Sequence, residues 1–299
     1  MSLPIAFVAV VLIWSTTPLA IKWSALGAGF GFAVFGRMAI GVVLCALLLV
    51  VMRIRMPWHR SARLTYAVGG LSVFCAMTLT YWAAQYVSSG MVSVLFGLTP
   101  LITGVGASYW LKEKSFTWNK VGGILLALLG LTLIFRHNLT LGPHAFTGIV
   151  AVLGAVTAQS LGLVWMKRIA DQSSSVALNL GALAFALPLF TMTWFWSDGH
   201  VPVEMPARAA IAIAYLGLFG SVIGFVLYFY MIKHMEAGRV ALITLITPVL
   251  ALLLGHGMDN EAVPLNAWLG TAGILAGLSL HQWGQLGRVW LLSKFSGHT

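Results

Sequence analysis

The sequence predicts an all-α polytopic membrane protein with ten transmembrane helices arranged as two inverted five-helix repeats. Three observations predict this fold: an apolar composition, ten apolar windows of membrane-spanning length, and an internal duplication. Of the 299 residues, 60% are hydrophobic and 8% are charged, against roughly 45–50% and 25% in an average soluble domain. The composition therefore excludes a soluble globule.

The ten windows follow from the thickness of a membrane. A hydrocarbon core of about 30 Å needs roughly 20 consecutive apolar residues in a helix. The windows are rich in Leu, Ala and Gly and lack the alternating pattern of barrel strands, which favours helices. They cover approximately residues 4–23, 30–52, 64–86, 91–111, 118–135, 146–166, 176–196, 209–232, 240–257 and 264–287.

The duplication is visible as a segment that recurs without a gap. Leu79 to Gly122 reappears 148 residues later as Leu227 to Gly270. Because each half holds five spans, an odd number, the second half enters the membrane in the opposite orientation. We expect one membrane domain, 1–299, built from a first repeat at 1–140 and a second, inverted repeat at 141–299. The matching pairs are Gly90 and Gly238, Val92 and Val240, Thr99-Pro100 and Thr247-Pro248, Glu113 and Glu261, and Gly122 and Gly270.

The distribution of Lys and Arg predicts the orientation, because these residues mark cytoplasmic loops. A cytoplasmic N-terminus leaves Lys22, Arg37, Arg136 and Arg208 outside. Both termini are therefore predicted to be cytoplasmic, and the net charge of +10 reflects topology rather than nucleic-acid binding. The inside then carries 13 of the 17 basic residues: Arg53, Arg55, Arg60, Arg63, Lys112, Lys114, Lys120, Lys167, Arg168, Lys233, Arg239, Arg288 and Lys294.

Paired proline breaks nominate a binding site, since matched breaks in corresponding helices point to the site of a transporter. Pro100 and Pro248 are such a pair, and Pro18 interrupts the first helix. A mid-helix proline frees one backbone carbonyl and permits a hinge. A purely structural kink is the alternative for each.

Helical spacing then nominates side chains beside these breaks. Ser93, Phe96 and Pro100 lie on one side of the fourth helix. For Gln85 and Gln159, hydrogen bonding between helices is an equal alternative, and Trp14 and Tyr81 also fit an interfacial aromatic belt. The candidate substrate-binding residues are Trp14, Tyr81, Gln85, Ser93, Phe96, Gln159, Tyr228 and Thr244, and the candidate hinges are Pro18, Pro100 and Pro248.

Some functional groups and motifs are absent from the predicted spans, and their absence limits the kinds of solute and mechanism to be expected. All seven acidic residues fall in or beside predicted loops, so a mid-membrane carboxylate relay is not expected. No Gly-rich nucleotide loop of the G-x-x-x-x-G-K-[ST] type occurs, and we expect no cofactor and no metal. Lys22 and Arg37 are placed toward the outer ends of their helices, where snorkelling to headgroups explains them. A neutral or zwitterionic, partly apolar solute fits this inventory.

Several motifs in order carry a resemblance. Helix one reads VLIWSTTPLAIKW, and each half closes on a Thr-Pro helix, an acidic loop residue and a Gly-rich last helix. In this order the chain resembles the drug/metabolite transporter superfamily, EamA type, and within it the bacterial YddG-type exporters of aromatic amino acids. Phe185 departs from the pattern, because it occupies the position that would match Arg37 in the second half. The matching positions are Trp14-Ser15, Pro18, Lys22, Arg37, Pro100 and Glu113.

The resemblance implies a secondary transporter of the bacterial inner membrane that exports neutral or aromatic amino acids, or related small metabolites, by alternating access. Its partners would be that solute and membrane lipids. An intramembrane enzyme acting on a lipid or quinone, and a helical receptor or scaffold, are the alternatives. Gly220-x-x-x-Gly224 and Gly273-x-x-x-Gly277 permit close helix contact within one bundle or between subunits, so the oligomeric state is left open.

Overall fold

In the computed structural model the described part of the chain is helical and contains no strand. The helices are α1 Leu3–Ser24, α2 Phe30–Val51, α3 Arg60–Ala83, α4 Ser89–Phe96, α5 Thr99–Trp110, α6 Ala145–Ile169, α7 Ser175–Ser197, α8 Ala207–Tyr215, a π-helical stretch Leu216–Gly224 (the π segment), α9 Phe225–His234, α10 Ala237–Ala241, α11 Ile243–Asp259 and α12 Trp268–Gly277. The described residues are 2–112, 144–241, 243–259 and 268–277, with short pieces at 122–123, 125–126, 129–130, 133, 265–266 and 279–280.

Seven stretches of the described chain are long and apolar enough to cross a membrane. They coincide with seven of the ten predicted windows, the first four and the sixth to eighth. The ninth window, 240–257, covers the end of α10 and most of α11, and the tenth contains α12. Most of the fifth window, 118–135, lies outside the described residues, so ten spans remain a prediction. The seven stretches are Leu3–Ser24, Phe30–Val51, Arg60–Ala83, Ser89–Trp110, Ala145–Ile169, Ser175–Ser197 and Ala207–His234.

The outward faces of these helices are apolar, as a lipid environment requires. On α2, Val43, Leu47 and Val50 lie three and four residues apart and are 58–70% exposed. This spacing places them on one stripe of the helix. In water such a stripe would be an aggregation hazard, whereas in a bilayer it meets hydrocarbon.

The helices pack in a cross-connected bundle. Helix α3 lies along α6 and α7, and α2 lies along α7 and the π segment. Helix α1 contacts α8, the π segment, α9 and α11, while α4 packs on α11 and α5 on α6. Helices from the two halves of the chain therefore pack between one another, and helices of both halves line the space at the centre of the bundle.

Hydrogen bonds to Asp171 join the start of α3 to the loop before α7 at one end of the bundle, which we call the basic end. The Asp171 carboxylate accepts from Ser61 Oγ at 2.6 Å, from Ser173 N at 2.8 Å and contacts His59 Nε2 at 2.7 Å. Lys233 Nζ donates to the carbonyl of Ser173 at 2.7 Å. Basic residues at this end are Arg53, Arg55, Arg60, Arg63, Lys112, Lys167, Arg168, Lys233 and Arg239.

The opposite end is joined by Asp259, the last residue of α11. Its carboxylate binds Lys22 Nζ at 2.8 Å, Trp23 Nε1 at 2.9 Å and Arg208 at 3.2 Å. Lys22 is therefore an ion-pair partner at this end, which corrects the expectation that it snorkels to headgroups. The cluster ties the end of α1 to the start of α8 and the end of α11.

Two exposed loop positions test the predicted orientation. Trp58, at the basic end, is 70% exposed, and Val203, at the opposite end, is 98% exposed. In a protein with Cys45 and Cys75 replaced by Ala, we expect Val203→Cys to react with an impermeant maleimide in intact cells. Trp58→Cys should react after permeabilisation. Labelling of Trp58→Cys from the outside of intact cells would show that the protein has the opposite orientation to the predicted one.

The Asp171 cluster predicts a loss of stability at acidic pH. Burial opposes ionisation of this carboxyl, but the bonds from Ser173, Ser61 and His59 outweigh it and lower its pKa to about 2. A depressed carboxyl pKa gives stability that is complete above about pH 4 and is lost as the pH falls toward 2. Asp171→Ala should cost about 1.5–3 kcal/mol at pH 7.

Thermal unfolding of the detergent-purified protein measures this loss. The difference in Tm between the wild type and Asp171→Ala should shrink as the pH falls from 4 toward 2. Glu204→Ala, at an exposed loop position, is the matched control and should leave the Tm unchanged. Equal Tm values for Asp171→Ala and wild type at pH 7 would show that the cluster is energetically neutral.

Candidate functional site

A central cavity opens between the helices of both halves, with about 60 Å³ of space for the centres of water molecules. Helices α1, α2, α3, α4, α6, α9 and α11 all contribute to its wall. The lining residues are Trp14, Thr17, Pro18, Ile21, Arg37, Met77, Thr80, Val92, Ser93, Phe96, Gln159, Phe225, Thr244 and Thr247.

Helix α1 supplies an aromatic wall and a freed carbonyl. The Trp14 ring lies against Tyr228 with centroids 5.2 Å apart and planes tilted by 45°. Pro18 lies inside α1 and has no N–H, so it cannot donate to the Trp14 carbonyl one turn earlier. The hydroxyl of Thr17 donates to the Ile13 carbonyl at 2.8 Å and keeps its lone pairs as acceptors.

The fourth predicted span is broken beside the cavity. Helix α4 ends at Phe96, and α5 begins at Thr99 with Pro100 in its first turn. Because Pro100 has no N–H, the Phe96 carbonyl loses its usual partner. The hydroxyl of Thr99 replaces it at 2.6 Å, so this break is internally satisfied.

Pro248 occupies a different setting from Pro100. It lies inside α11, which runs from Ile243 to Asp259, so the helix continues through it. Pro248 cannot donate to the carbonyl of Thr244, a cavity residue one turn earlier. The matched prolines thus differ: Pro100 starts a helix, whereas Pro248 interrupts the hydrogen bonding of a continuing one.

Arg37 is the main departure from the sequence-based expectation. Its side chain does not snorkel outward: the residue is 1% exposed and lines the cavity. Its Nε donates to Ser221 Oγ at 3.0 Å, and its guanidinium lies 5.9 Å from the Phe225 ring centroid. The NH1 nitrogen is buried without a hydrogen-bond partner. The expectation that Arg37 snorkels to the headgroups is therefore wrong.

The π segment is shaped around Arg37 and Trp14. A Cβ on Gly220 would lie 2.8 Å from the NH2 nitrogen of Arg37, and one on Gly224 would lie 3.3 Å from Trp14 Nε1. These glycines therefore serve contacts within the bundle. π-Helical turns recur at functional sites, and this one supplies Ser221 to the cation.

The cation is not repeated in the second half of the chain. Phe185, which matches Arg37 in the duplication, is 46% exposed on α7. Asn179 is the buried polar residue of that helix, and its Nδ2 donates to the Ser221 carbonyl at 2.9 Å. Both α2 and α7 thus anchor the π segment, but α2 alone of the two carries a charge into the cavity.

The structure brings six of the eleven predicted site residues into the cavity: Trp14, Pro18, Ser93, Phe96, Gln159 and Thr244. Tyr228 lines a smaller adjoining space together with Trp14 and Gln159.

Tyr81, Gln85, Pro100 and Pro248 are placed elsewhere. Tyr81 is fully buried in the apolar core, and its hydroxyl has no partner. Gln85 is exposed beyond the end of α3 and donates to the carbonyl of Trp82 at 3.2 Å, which corrects its assignment to the cavity. Both prolines flank the cavity without lining it.

Sequence reasoning missed several lining residues. Arg37 carried the clearest signal, because a charge inside an apolar span is a candidate functional residue by default. Thr247 lies directly before Pro248 and was named as part of the repeat. The remaining missed residues are Thr17, Ile21, Met77, Thr80, Val92 and Phe225.

The lining chemistry suits binding rather than covalent chemistry. Among its described residues are rings, hydroxyls, one amide and one cation, with no His, Cys, Asp, Glu or Lys. The described chain also contains no group of three or more His, Cys, Asp or Glu residues that could hold a metal ion.

Comparison with known proteins identifies a protein family that the chain matches. The profile of the EamA-like transporter family matches residues 1–136 and 146–281. A "probable terminal-alkyne amino-acid exporter" of Streptantibioticus cattleyicolor is 25% identical over 95% of this chain and 94% of its own. An "uncharacterized transporter" of Archaeoglobus fulgidus is 25% identical over 81% and 84%.

Two further comparisons concern location and fold. The "uncharacterized inner membrane transporter YedA" of Escherichia coli K12 is 26% identical over 62% of this chain and 59% of its own. A protein of known crystal structure superposes with a TM-score of 0.69 at 18% identity, covering 95% of this chain and 98% of that one. This last likeness concerns the fold alone.

The packing of the π segment against α2 predicts a sharp effect of one added methyl group. A Cβ on Gly217 would lie 2.5 Å from Ile40 Cγ2 and 2.8 Å from Ile40 Cβ, and a β-branched side chain has little freedom to move away. Gly217→Ala should therefore cost about 1–3 kcal/mol through overpacking.

Gly257→Ala in α11 is the matched control, because an added Cβ there meets no atom within 4 Å. Its Tm should be unchanged or slightly higher, since Ala favours a helix over Gly by about 0.5–1 kcal/mol. If Gly217→Ala melts at the same temperature as Gly257→Ala, the close packing of the π segment on α2 is refuted.

Proposed function

The chain belongs to the EamA-like transporter family, and we propose that it exports neutral amino acids, aromatic ones included, or related small metabolites across the bacterial inner membrane. The chain is a membrane transporter of the EamA type: the family profile covers both of its halves, and the relatives compared above are named as transporters. The substrate, the direction of transport and the membrane are parts of the proposal.

The observation that carries the substrate class is the composition of the central cavity. Trp14, Phe96 and Phe225 give it aromatic surface, and five hydroxyls and one amide give it hydrogen-bonding groups. Apolar walls with a few convergent polar groups are typical of small-molecule sites. The Streptantibioticus relative named as an exporter of an amino acid, similar over 95% of this chain, supports the same class, as does the predicted likeness to YddG-type exporters.

A solute amino group would find neutral acceptors in this cavity. The hydroxyl oxygens of Thr17 and Ser93 and the amide oxygen of Gln159 belong to its wall. The proline at 18 adds the carbonyl of Trp14, which lacks an N–H donor one turn later. These acceptors are neutral, so they would bind the amino group without forming an ion pair.

Alternating access is proposed from the arrangement of the helices. In the 148-residue register α1 corresponds to α6, α2 to α7, and α3 to the stretch from α8 to α9. Helix α3 packs on α6 as that stretch packs on α1, while α2 pairs with α7 and α4 with α11. These reciprocal contacts support two inverted repeats, 1–140 and 141–299, that rock about the cavity.

The bundle ends offer contacts that such rocking would break and remake. At the opposite end, Asp259 joins α1, α8 and α11, and at the basic end Asp171 joins α3 to the loop before α7. We propose that Pro18, Pro100 and Pro248 lie at the bending points between these ends. The similarity to an inner membrane transporter of E. coli supports the proposed location. The proposed cytoplasmic location of both termini is supported by the distribution of Lys and Arg.

The enzyme alternative lacks support in the cavity. Acid–base or nucleophilic catalysis needs a base within hydrogen-bond reach of the reacting group, and the described lining holds no His or carboxylate. A receptor or scaffold would bind the solute without moving it across the membrane. Measurement of solute flux therefore distinguishes a transporter from a receptor or scaffold.

Flux into proteoliposomes that contain only this protein tests the proposal. Labelled phenylalanine, tryptophan, methionine or threonine should cross down its gradient without ATP. Trp14→Ala should lower the flux about tenfold, since an aromatic contact and its buried area are worth at least 1.4 kcal/mol, or roughly one decade. Trp58→Ala, at an exposed loop position, is the matched control and should transport normally.

The substrate assignment has a clear contrary result. If none of the four amino acids crosses while a phosphorylated sugar crosses readily, the proposed substrate class is wrong and the fold is unaffected. If Trp14→Ala transports phenylalanine at the rate of Trp58→Ala, the aromatic wall does not contact the solute.

A further inference from the structure

We propose that Arg37 binds the carboxylate of the transported solute, and that the cavity therefore accepts apolar monocarboxylates whether or not they carry an amino group. This inference rests on the proposed function of the cavity as a solute site. It extends the substrate class from amino acids to aromatic and aliphatic monocarboxylic acids.

The first step is the charge itself. A guanidinium keeps its proton in proteins, so Arg37 stays cationic although it is 1% exposed. It forms no ion pair with any acidic residue of the described chain, where Asp171, Asp198 and Asp259 bind other groups. A buried charge without a partner is strongly unfavourable. An anion entering the cavity would supply the missing partner.

The second step concerns the hydrogen bonds of the guanidinium group. The Nε–H is fixed to Ser221 Oγ at 3.0 Å, and the backbone that carries Ser221 is anchored by Asn179 Nδ2 at 2.9 Å. The NH1 nitrogen remains buried without a partner in a side chain that lines the cavity. Its two N–H groups are thus held in place and unused, as binding of a carboxylate requires.

The third step is the asymmetry of the lining. Arg37 is the cation of the described cavity wall, and that wall contains no carboxylate. A solute carboxylate would meet a charged donor, whereas a solute ammonium would meet neutral oxygens. The carboxylate would also neutralise the buried guanidinium, whereas an ammonium would leave the charge of Arg37 unpaired and add a second unpaired cation. The carboxylate is therefore the required group and the ammonium is dispensable.

The same asymmetry limits the class of solute. A second carboxylate or a phosphate would have to leave water without a second cation in the described wall. Unpaired charges in a low-dielectric site are costly. Dicarboxylates and sugar phosphates should therefore bind much less well than monocarboxylates with one apolar body.

Ligand pairs that differ in one group test the inference on the wild-type protein. Full-length protein in detergent is titrated with L-phenylalanine, 3-phenylpropionate, phenethylamine, L-phenylalaninamide and phenylsuccinate, and binding is measured calorimetrically and by the shift in Tm. We expect the first two to bind and to raise the Tm. Phenethylamine and L-phenylalaninamide should bind at least tenfold more weakly, and so should the dicarboxylate.

Two variants locate the carboxylate. Arg37→Gln should lose at least tenfold in affinity for 3-phenylpropionate. Arg168→Gln is the matched control, because Arg168 also lies beside an aromatic ring, Trp165, but is at the basic end of the bundle and outside the cavity wall. It should bind 3-phenylpropionate like the wild type. If Arg37→Gln fails to fold, the ligand pairs still test on the wild-type protein whether binding requires the carboxylate.

Either of two results overturns the inference. One is that phenethylamine or L-phenylalaninamide binds as well as 3-phenylpropionate, or that neither carboxylate binds. The other is that a folded Arg37→Gln protein binds 3-phenylpropionate with wild-type affinity. Failure of the proposed function is separate: it is an absence of amino-acid flux in proteoliposomes, which leaves selective binding of 3-phenylpropionate intact.

Discussion

A guanidinium that cannot lose its proton must find partners when it is taken out of water, and this requirement organises the centre of the bundle. Arg37 reaches inward from α2, and the π segment meets it with a hydroxyl at Ser221 and an absent side chain at Gly220. Helix α7 supports the same turn through Asn179. These contacts satisfy part of the cation and leave NH1 buried without a hydrogen-bond partner.

The helices were largely predictable because lipid leaves the backbone few alternatives. A chain in hydrocarbon must satisfy its own N–H and C=O groups, so long apolar windows become helices, and seven windows match described spans. It was harder to predict which face of each helix lines the cavity. Gln85 was assigned to a cavity because its window was extended to residue 86, whereas α3 ends at Ala83 and the side chain lies beyond the helix.

Arg37 was misjudged for a related reason. It lies seven residues into α2, about 10 Å along the axis at 1.5 Å per residue, which is compatible with either snorkelling or burial. The surrounding sequence is apolar on all sides, so periodicity does not tell which face meets the other helices. The duplication gave no help, because its match, Phe185, faces outward. Pro100 and Pro248 diverged similarly, one beginning a helix and the other lying within one.

A structure of the protein bound to an aromatic monocarboxylate would test the central claim most directly. We predict both carboxylate oxygens, or one of them, about 2.7–2.9 Å from the guanidinium nitrogens of Arg37, with the ring against Trp14 and Phe96. A complex in which the carboxylate points away from Arg37, or in which Arg37 pairs with an acidic side chain of the protein while the ligand lies elsewhere, would contradict it.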